Sequence, residues 1–315
     1  MPEIVTIGES MTLLYSQPAM PLRMAWSFQR SIAGAESNVA IGLTRLGHST
    51  SWVGRVGADP FGMGLLDALR AEGVDLSWVV VDQDAPTGVL IRDRHPERPT
   101  QVLYYRRYSA GSRLQPGDIG PECLEGARFL HLTGITPALS PSARQAVYRA
   151  ASLAAELGVE VSFDPNLRLK LWAAEEAAET LAPLVSLSRI VIVGADEAKL
   201  LSGAVDEGGA AQWFLAHGAP LVVLKRGPAG SWATDGIAEW EAPPFRVTPV
   251  DVIGAGDAFV AGFLAARLGG GDLPMCLRWG NAAGALATQV PGDIEGLPYR
   301  RDLEALLEGH ADADR

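Results

Sequence analysis

The sequence predicts an α/β fold, a parallel-rich sheet sandwiched by helices with a small β layer beside it. Three observations carry this. Short apolar runs alternate with amphipathic stretches along most of the chain, the pattern of buried parallel strands joined by covering helices. With 315 residues, 48% hydrophobic and 20% charged, the chain can bury a large core. Two stretches, residues 11–32 and 88–108, hold strand-like runs with no helix pattern inside them.

In chain order, residues 4–8, 51–56, 129–133, 159–164, 190–194 and 221–225 read as buried strands, each a short and largely apolar run. Residues 37–46, 62–72, 141–157, 175–185, 210–217, 257–268 and 274–290 read as helices, with apolar positions recurring three and four apart. The two exceptional stretches read as hairpins that leave the sheet. Gly88-Val89-Leu90-Ile91-Arg92 and Gln101-Val102-Leu103-Tyr104-Tyr105-Arg106 are examples. Ligands of open α/β sheets bind beyond the carboxyl ends of the strands, so a β layer placed there would act as a lid over one domain spanning residues 1–315. Hairpins with an apolar face also pair with copies of themselves, which predicts a homodimer or higher oligomer through the lid.

Composition excludes several classes. A net charge of −11 with no Lys/Arg cluster argues against nucleic acid as a partner. Cys123 and Cys276 are far apart, and the five histidines have no metal-ligand spacing, so no zinc site is expected. Met1-Pro2-Glu3-Ile4-Val5 has no basic, apolar leader character, and the apolar helix at 258–268 is too short to cross a bilayer. A cytoplasmic protein without membrane contact is expected.

The chemistry concentrates in Asp251-Val252-Ile253-Gly254-Ala255-Gly256-Asp257-Ala258-Phe259. A Gly-Ala-Gly turn running into a helix leaves the amides of Ala255, Gly256 and Asp257 uncovered at the positive end of the helix dipole. Such a hole suits the charge of a transferring phosphoryl group, and Asp257 at its mouth can take a proton from an attacking hydroxyl. The bland alternative is a tight turn with Asp257 capping the helix.

This string resembles the C-terminal signature of the ribokinase/PfkB family of carbohydrate kinases. Other segments follow in the family's order: Gly34-Ala35-Glu36-Ser37-Asn38 with Leu43-Thr44-Arg45-Leu46-Gly47, then Val53-Gly54-Arg55-Val56-Gly57-Ala58-Asp59-Pro60-Phe61-Gly62, then Lys225-Arg226-Gly227-Pro228-Ala229-Gly230. The resemblance implies a ribokinase-like core and ATP with Mg²⁺. It implies a sugar near Gly34 and Asn38, and a nucleotide along Lys225, Arg226, Gly227, Pro228, Ala229, Gly230, Ser231 and Asn281. Asp257 would be the base beside the Gly254, Ala255 and Gly256 amides, and Asp293 would reach sugar hydroxyls. Glu197 would order Mg²⁺ through water, and Asp251 and Ile253 match positions that hold a monovalent cation in some relatives.

Within the family, 2-keto-3-deoxygluconate kinases are the nearest likeness. It rests on Tyr104-Tyr105-Arg106-Arg107-Tyr108-Ser109-Ala110-Gly111-Ser112, on residues 129–140, and on Asp164-Pro165-Asn166-Leu167-Arg168. Tyr104 and Arg106 lie two apart on a strand and so face the same way, and Arg168 follows a strand end. Their guanidinium groups suit a carboxylate. The expected substrate is therefore a sugar acid phosphorylated from ATP. A neutral-sugar kinase of fructokinase or ribokinase type, a nucleoside kinase, and a non-catalytic sugar-acid sensor are the alternatives. Three positions depart from the family pattern: Gly194 stands for an Asn, Ala33 for a Gly, and Leu90 for a Tyr.

Overall fold

The computed structural model describes residues 1–93 and 100–313, with side chains through residue 309. Part of the second excursion, residues 94–99, lies outside the described residues.

The chain opens with β1 (Ile4–Ile7) and passes into β2 (Met11–Ser16) and β3 (Phe28–Ala33) before α1 (Ala35–Arg45). Next come β4 (Thr50–Val53), β5 (Arg55–Gly57), α2 (Pro60–Ala71), β6 (Val80–Asp82), β7 (Val89–Arg92) and β8 (Val102–Tyr105). From β9 (Phe129–Thr133) onward, strands and helices alternate: α3 (Pro141–Leu157), β10 (Glu160–Asp164), α4 (Ala174–Leu187), β11 (Ile190–Gly194), α5 (Ala195–Ser202) and α6 (Glu207–Ala216). The last part holds β12 (Val222–Lys225), β13 (Ser231–Thr234), β14 (Glu239–Ala242), α7 (Ala255–Leu268), α8 (Leu273–Ala287) and α9 (Arg300–Ala313). Helix starts carry their own signals. Asp59 accepts from the amides of Phe61 and Gly62, Ser140 from Ala143, and Asp272 from Met275, each followed by Pro in the first turn.

The main sheet has eight strands in the order β14-β13-β12-β11-β10-β9-β1-β4. The strands from β12 through β4 run parallel, and β13 and β14 fold back antiparallel at one edge. Successive side chains point to opposite faces, and both faces are buried. Ile190, Ile192 and Val223 face one apolar cluster, with Val39, Leu65, Phe259 and Leu277 from α1, α2, α7 and α8. Val191, Val193, Val222 and Leu224 face the other, against Val147, Leu181 and Phe214 from α3, α4 and α6. The fold class read from the sequence is the one observed.

A separate four-stranded sheet, ordered β3-β2-β7-β8, comes from the two excursions. Its inner face is a small apolar cluster of Met11, Leu13, Tyr15, Ala33 and Leu90. Strand β2 pairs antiparallel with β3 and parallel with β7, so the layer is one sheet and not two independent hairpins.

Several boundaries differ from the sequence reading. The single strand at 51–56 is two strands that break at Gly54: β4 belongs to the main sheet, and β5 pairs only with β6. A Cβ at Gly54 would lie 2.4 Å from the Trp52 ring and 2.6 Å from the Gly8 carbonyl, so the chain turns where only glycine fits. The edge pair β13–β14, the short α5 and the C-terminal α9 carry weak apolar signals, Glu239-Trp240-Glu241-Ala242 for instance, and were not expected.

Candidate active site

Strands β10, β11 and β12 end side by side at Asp164, Gly194 and Lys225. Facing them is the start of α7. Gly254 is its N-cap at φ 80°, a left-handed conformation suited to glycine, and a Cβ there would lie 2.6 Å from the Asp293 carbonyl oxygen. The helix begins at Ala255, two residues earlier than the sequence suggested. The Ala255 amide donates to the Val252 carbonyl at 3.4 Å, which leaves the amides of Gly256 and Asp257 as the uncovered ones among the described residues. Asp257 does not cap the helix; no side chain does. Its carboxylate instead accepts a hydrogen bond from Asn38 Nδ2 at 2.8 Å.

Two cavities meet at this turn. One, of about 360 Å³, lies under the four-stranded sheet and is lined by Gly34, Asn38, Tyr104, Arg106, Arg168, Glu197, Asp257 and Asp293. The other, of about 550 Å³ and more apolar, is lined by Gly227, Pro228, Gly230, Phe245, Ala255 and Asn281. Lys225, Val252 and Gly256 border both. Lys225 Nζ would be 3.5 Å from a Cβ on Gly256, which places its ammonium beside the helix start. Asn281 Nδ2 donates to the carbonyls of Ala242 and Pro243 at 3.0 Å, fixing one wall of the second cavity.

Charge is dense and buried here. Burial pushes the Asp257 carboxyl up to about 6, against the pull of Asn38 and Lys225. Burial likewise raises Asp293 to about 7, with Arg92 opposing. Glu197 is raised by burial and by the neighbouring Asp164. Burial alone would lower Lys225, but Asp164 and Glu197 outweigh it and leave its pKa raised; its ammonium is paired directly with Asp164. Glu36, raised to about 7 by burial, accepts hydrogen bonds from Thr133 and Thr136 at 2.7 and 2.8 Å.

Most residues expected at a site converge here, but not all. Arg226 turns away to Glu207 and Glu241, at 2.6 and 2.8 Å. Neither it, Ala229 nor Ser231 lines either of these cavities; Ser231 is buried at the start of β13. Ala255 borders only the apolar cavity. Ile253 borders the first, while Asp251 lies behind it. Leu90 lines the first cavity. The sequence reading missed Glu9, Glu36, Arg92 and Asp164. Glu9 pairs with Arg106 and accepts from Ser109, and Arg92 lies between Asp251 and Asp293 at 3.1 and 3.2 Å. Asp164 sat at a predicted strand end, where charge itself was a usable signal. The others had none beyond their neighbours.

Comparison with known proteins agrees with this geometry. The family model described as pfkB family carbohydrate kinase matches residues 1–300. A Bacillus subtilis protein named 2-dehydro-3-deoxygluconokinase is 38% identical over 308 residues, covering 97% of this chain and 95% of its own. A Haloferax volcanii protein named 2-dehydro-3-deoxygalactonokinase is 34% identical, covering 99% of each. Among solved structures, a ribokinase II candidate from E. coli in complex with ATP and Mg²⁺ superposes with a TM-score of 0.92 at 26% identity, over 98% of this chain and 100% of its own.

Proposed function

This chain belongs to the pfkB family of carbohydrate kinases, and from that premise we propose that it transfers the γ-phosphoryl group of Mg·ATP to the terminal hydroxyl of 2-keto-3-deoxygluconate, giving the 6-phosphate. The observation that carries the reading is the shared wall. One helix start, with the uncovered amides of Gly256 and Asp257 and a buried carboxylate, separates a cavity lined by Arg92, Arg106 and Arg168 from an apolar cavity sized for a nucleotide.

The roles follow from position. Asp257 takes the proton of the attacking hydroxyl, and the Gly254–Asp257 turn and Lys225 meet the charge that develops on the phosphoryl oxygens. Arg106 and Arg168 hold the acid's carboxylate, with Tyr104, Asn38, Gly34 and Asp293 around the sugar. ATP lies along 225–230 with its base toward Asn281. Among the described residues no group of three or more His, Cys, Asp or Glu could hold a metal by itself; Mg²⁺ would be held chiefly by the nucleotide's phosphates and would offset their charge. Glu197, whose charge is poorly compensated where it sits, is the carboxylate placed to reach its water shell. Gly194 offers no side chain to help.

The test is initial rates with Mg·ATP on 2-keto-3-deoxygluconate, its galactonate epimer, fructose, ribose and a nucleoside. Preference for fructose, ribose or the nucleoside overturns the acid assignment, and no turnover on any of them leaves a sensor.

A pH profile adds a second check. Asp257 works as a carboxylate, and burial raises its pKa to about 6, so protonation removes the base as pH falls through that value. For the acid substrate, kcat/KM should drop about tenfold per pH unit below pH ~6. A profile flat to pH ~4.5 contradicts a buried base.

Gly227 lies at φ 55° with open space where a Cβ would be, on the wall of the apolar cavity. Gly227→Val puts a branched side chain there and strains the loop, and should raise KM for ATP about tenfold or more while moving the sugar KM far less. A rise confined to the sugar KM would place this loop in the other half of the cleft.

The outer lid strands leave Phe28, Leu103 and Tyr105 exposed, with Trp26 97% exposed beside them. They support a dimer formed lid to lid, checked by sedimentation of the parent and Trp26→Glu. Two buried free thiols and ATP as donor support a cytosolic setting.

A further inference from the structure

Asp251 and Ile253 stand where the sequence implies oxygen ligands for a monovalent cation. The geometry around Asp251 does not fit that ion. Its Oδ1 accepts from the Ile253 amide at 3.2 Å, and its Oδ2 accepts from the Gly292 amide at 3.3 Å. Oδ2 also lies 3.1 Å from Arg92 Nη2. An alkali ion at this carboxylate would have to displace a buried guanidinium that meets it as an ion pair, or stand beside its positive charge in a poorly solvated place.

Arg92 is positioned by the lid, not by the loop it touches. It is the last residue of β7, opposite Tyr15 of β2 and Val102 of β8. Its side chain is 1% exposed, with the guanidinium 5.9 Å from the centre of the Tyr15 ring. The same Nη2 lies 3.2 Å from Asp293 Oδ1. Asp251 precedes the Gly254–Gly256 turn, and the Asp293 carbonyl packs on Gly254. One guanidinium thus joins the two chain segments that bracket the turn.

We propose that Arg92 is the resident cation of this loop, a positioning residue that holds Asp251 and Asp293 about the anion-binding turn and makes catalysis independent of alkali ions. The turn is thereby linked to the lid, because the charge that orders it is carried by a lid strand. A ligand shifts a protein only by its differential affinity for two states, and a loop already ordered by Arg92 gives an alkali ion nothing to select.

The proposal rests on the turn being the phosphoryl site, so it is tested with and without turnover. Wild-type rates with Mg·ATP, compared at fixed ionic strength in potassium, sodium and tetramethylammonium chloride, should agree within about threefold. Titration with Tl⁺ followed by ²⁰⁵Tl NMR should reveal no saturable site, a measurement that needs no kinase activity. Arg92→Ala should lose at least about 100-fold in kcat and recover part of it with added guanidinium or K⁺, whereas Arg92→Lys should retain more. Saturable potassium activation of the wild type beyond threefold, a saturable Tl⁺ site abolished by Asp251→Asn, or an Arg92→Ala variant with unaltered kcat each overturns the proposal. If Arg92→Ala does not fold, the wild-type salt series and the Tl⁺ titration still decide it. Absence of kinase activity in every salt would instead defeat the functional reading and leave the Tl⁺ result to stand alone.

Discussion

Replacing Asp257 with Asn should lower kcat by about 10²- to 10⁴-fold, the usual contribution of a general base, in a protein that still folds and binds both substrates. The surroundings make the swap unusually clean. Asn38 Nδ2 donates to Asp257 Oδ2 at 2.8 Å, and an Asn at 257 keeps an oxygen to receive it. Its new amide can turn toward Asn38 Oδ1, which is buried and has no hydrogen-bond partner among the described residues. Stability should not suffer. Folding raises the Asp257 pKa from 3.8 to about 6, so the folded protein prefers the protonated form. Its contribution is fully present below the unfolded pKa and is lost as pH rises through the folded one. At pH ~8 the neutral Asn avoids that loss, so the variant should melt no lower than its parent, with the gap closing toward pH ~4. Calorimetric titration with ATP and sugar acid, beside steady-state rates, checks both halves. A folded variant with near-parental turnover would sink the base assignment.

Removing the guanidinium of either Arg106 or Arg168 should cost about 2–4 kcal/mol in kcat/KM for the sugar acid, roughly 30- to 1000-fold, with little change for fructose or ribose. The bound carboxylate would remain desolvated without its partner, whereas a neutral sugar never had one. The two arginines differ in what else their loss does. Arg168 is 41% exposed, 3.8 Å from Glu197 Oε1 and otherwise near its own backbone, so Arg168→Ala should leave folding intact. Arg106 is buried against Glu9, and Arg106→Ala strands that carboxylate with only Ser109 to serve it. Its stability should fall, and Glu9→Gln on top should recover stability without restoring the acid preference. Discrimination is read as the ratio of kcat/KM for acid and fructose in each variant. If neither single change moves that ratio, the protein is a neutral-sugar kinase.

The main sheet was legible because its strands are buried on both faces, so each reads as a continuous apolar run such as Ile190-Val191-Ile192-Val193. The anion-binding turn was legible because small residues and an acid cluster there, directly ahead of an apolar helix. Pairings across the lid were not legible. Glu9 and Arg92 are ordinary charged residues in the sequence, and the parallel pairing of β2 with β7 brings them over the cavity. The break at Gly54 was hidden for the converse reason: residues 51–56 carry strand-forming residues on both sides of it, Trp52 and Val53 before and Val56 after, and the Trp52 ring and the Gly8 carbonyl crowd the turn. The outward turn of Arg226 depends on Glu207 and Glu241, an α6 start and an edge strand that the apolar pattern did not resolve.

The place of β1 has a consequence for how the protein emerges from a ribosome. β1 precedes both β4 and β9 in the chain, and in the sheet it lies between them. It can pair with β4 once residue 53 is out, but its other edge stays open until residues 129–133 follow. Pairing so distant in sequence is slow to form, because loop closure must precede the contacts that reward it. During that interval an apolar strand with one bare edge is a template for wrong partners. The lid strands β2, β3, β7 and β8 are all complete before β9 appears, and they can pair among themselves first. The lid half of the cleft can thus take shape before β9 is made, and the nucleotide half must wait for α7 and α8, which follow β14 in the chain.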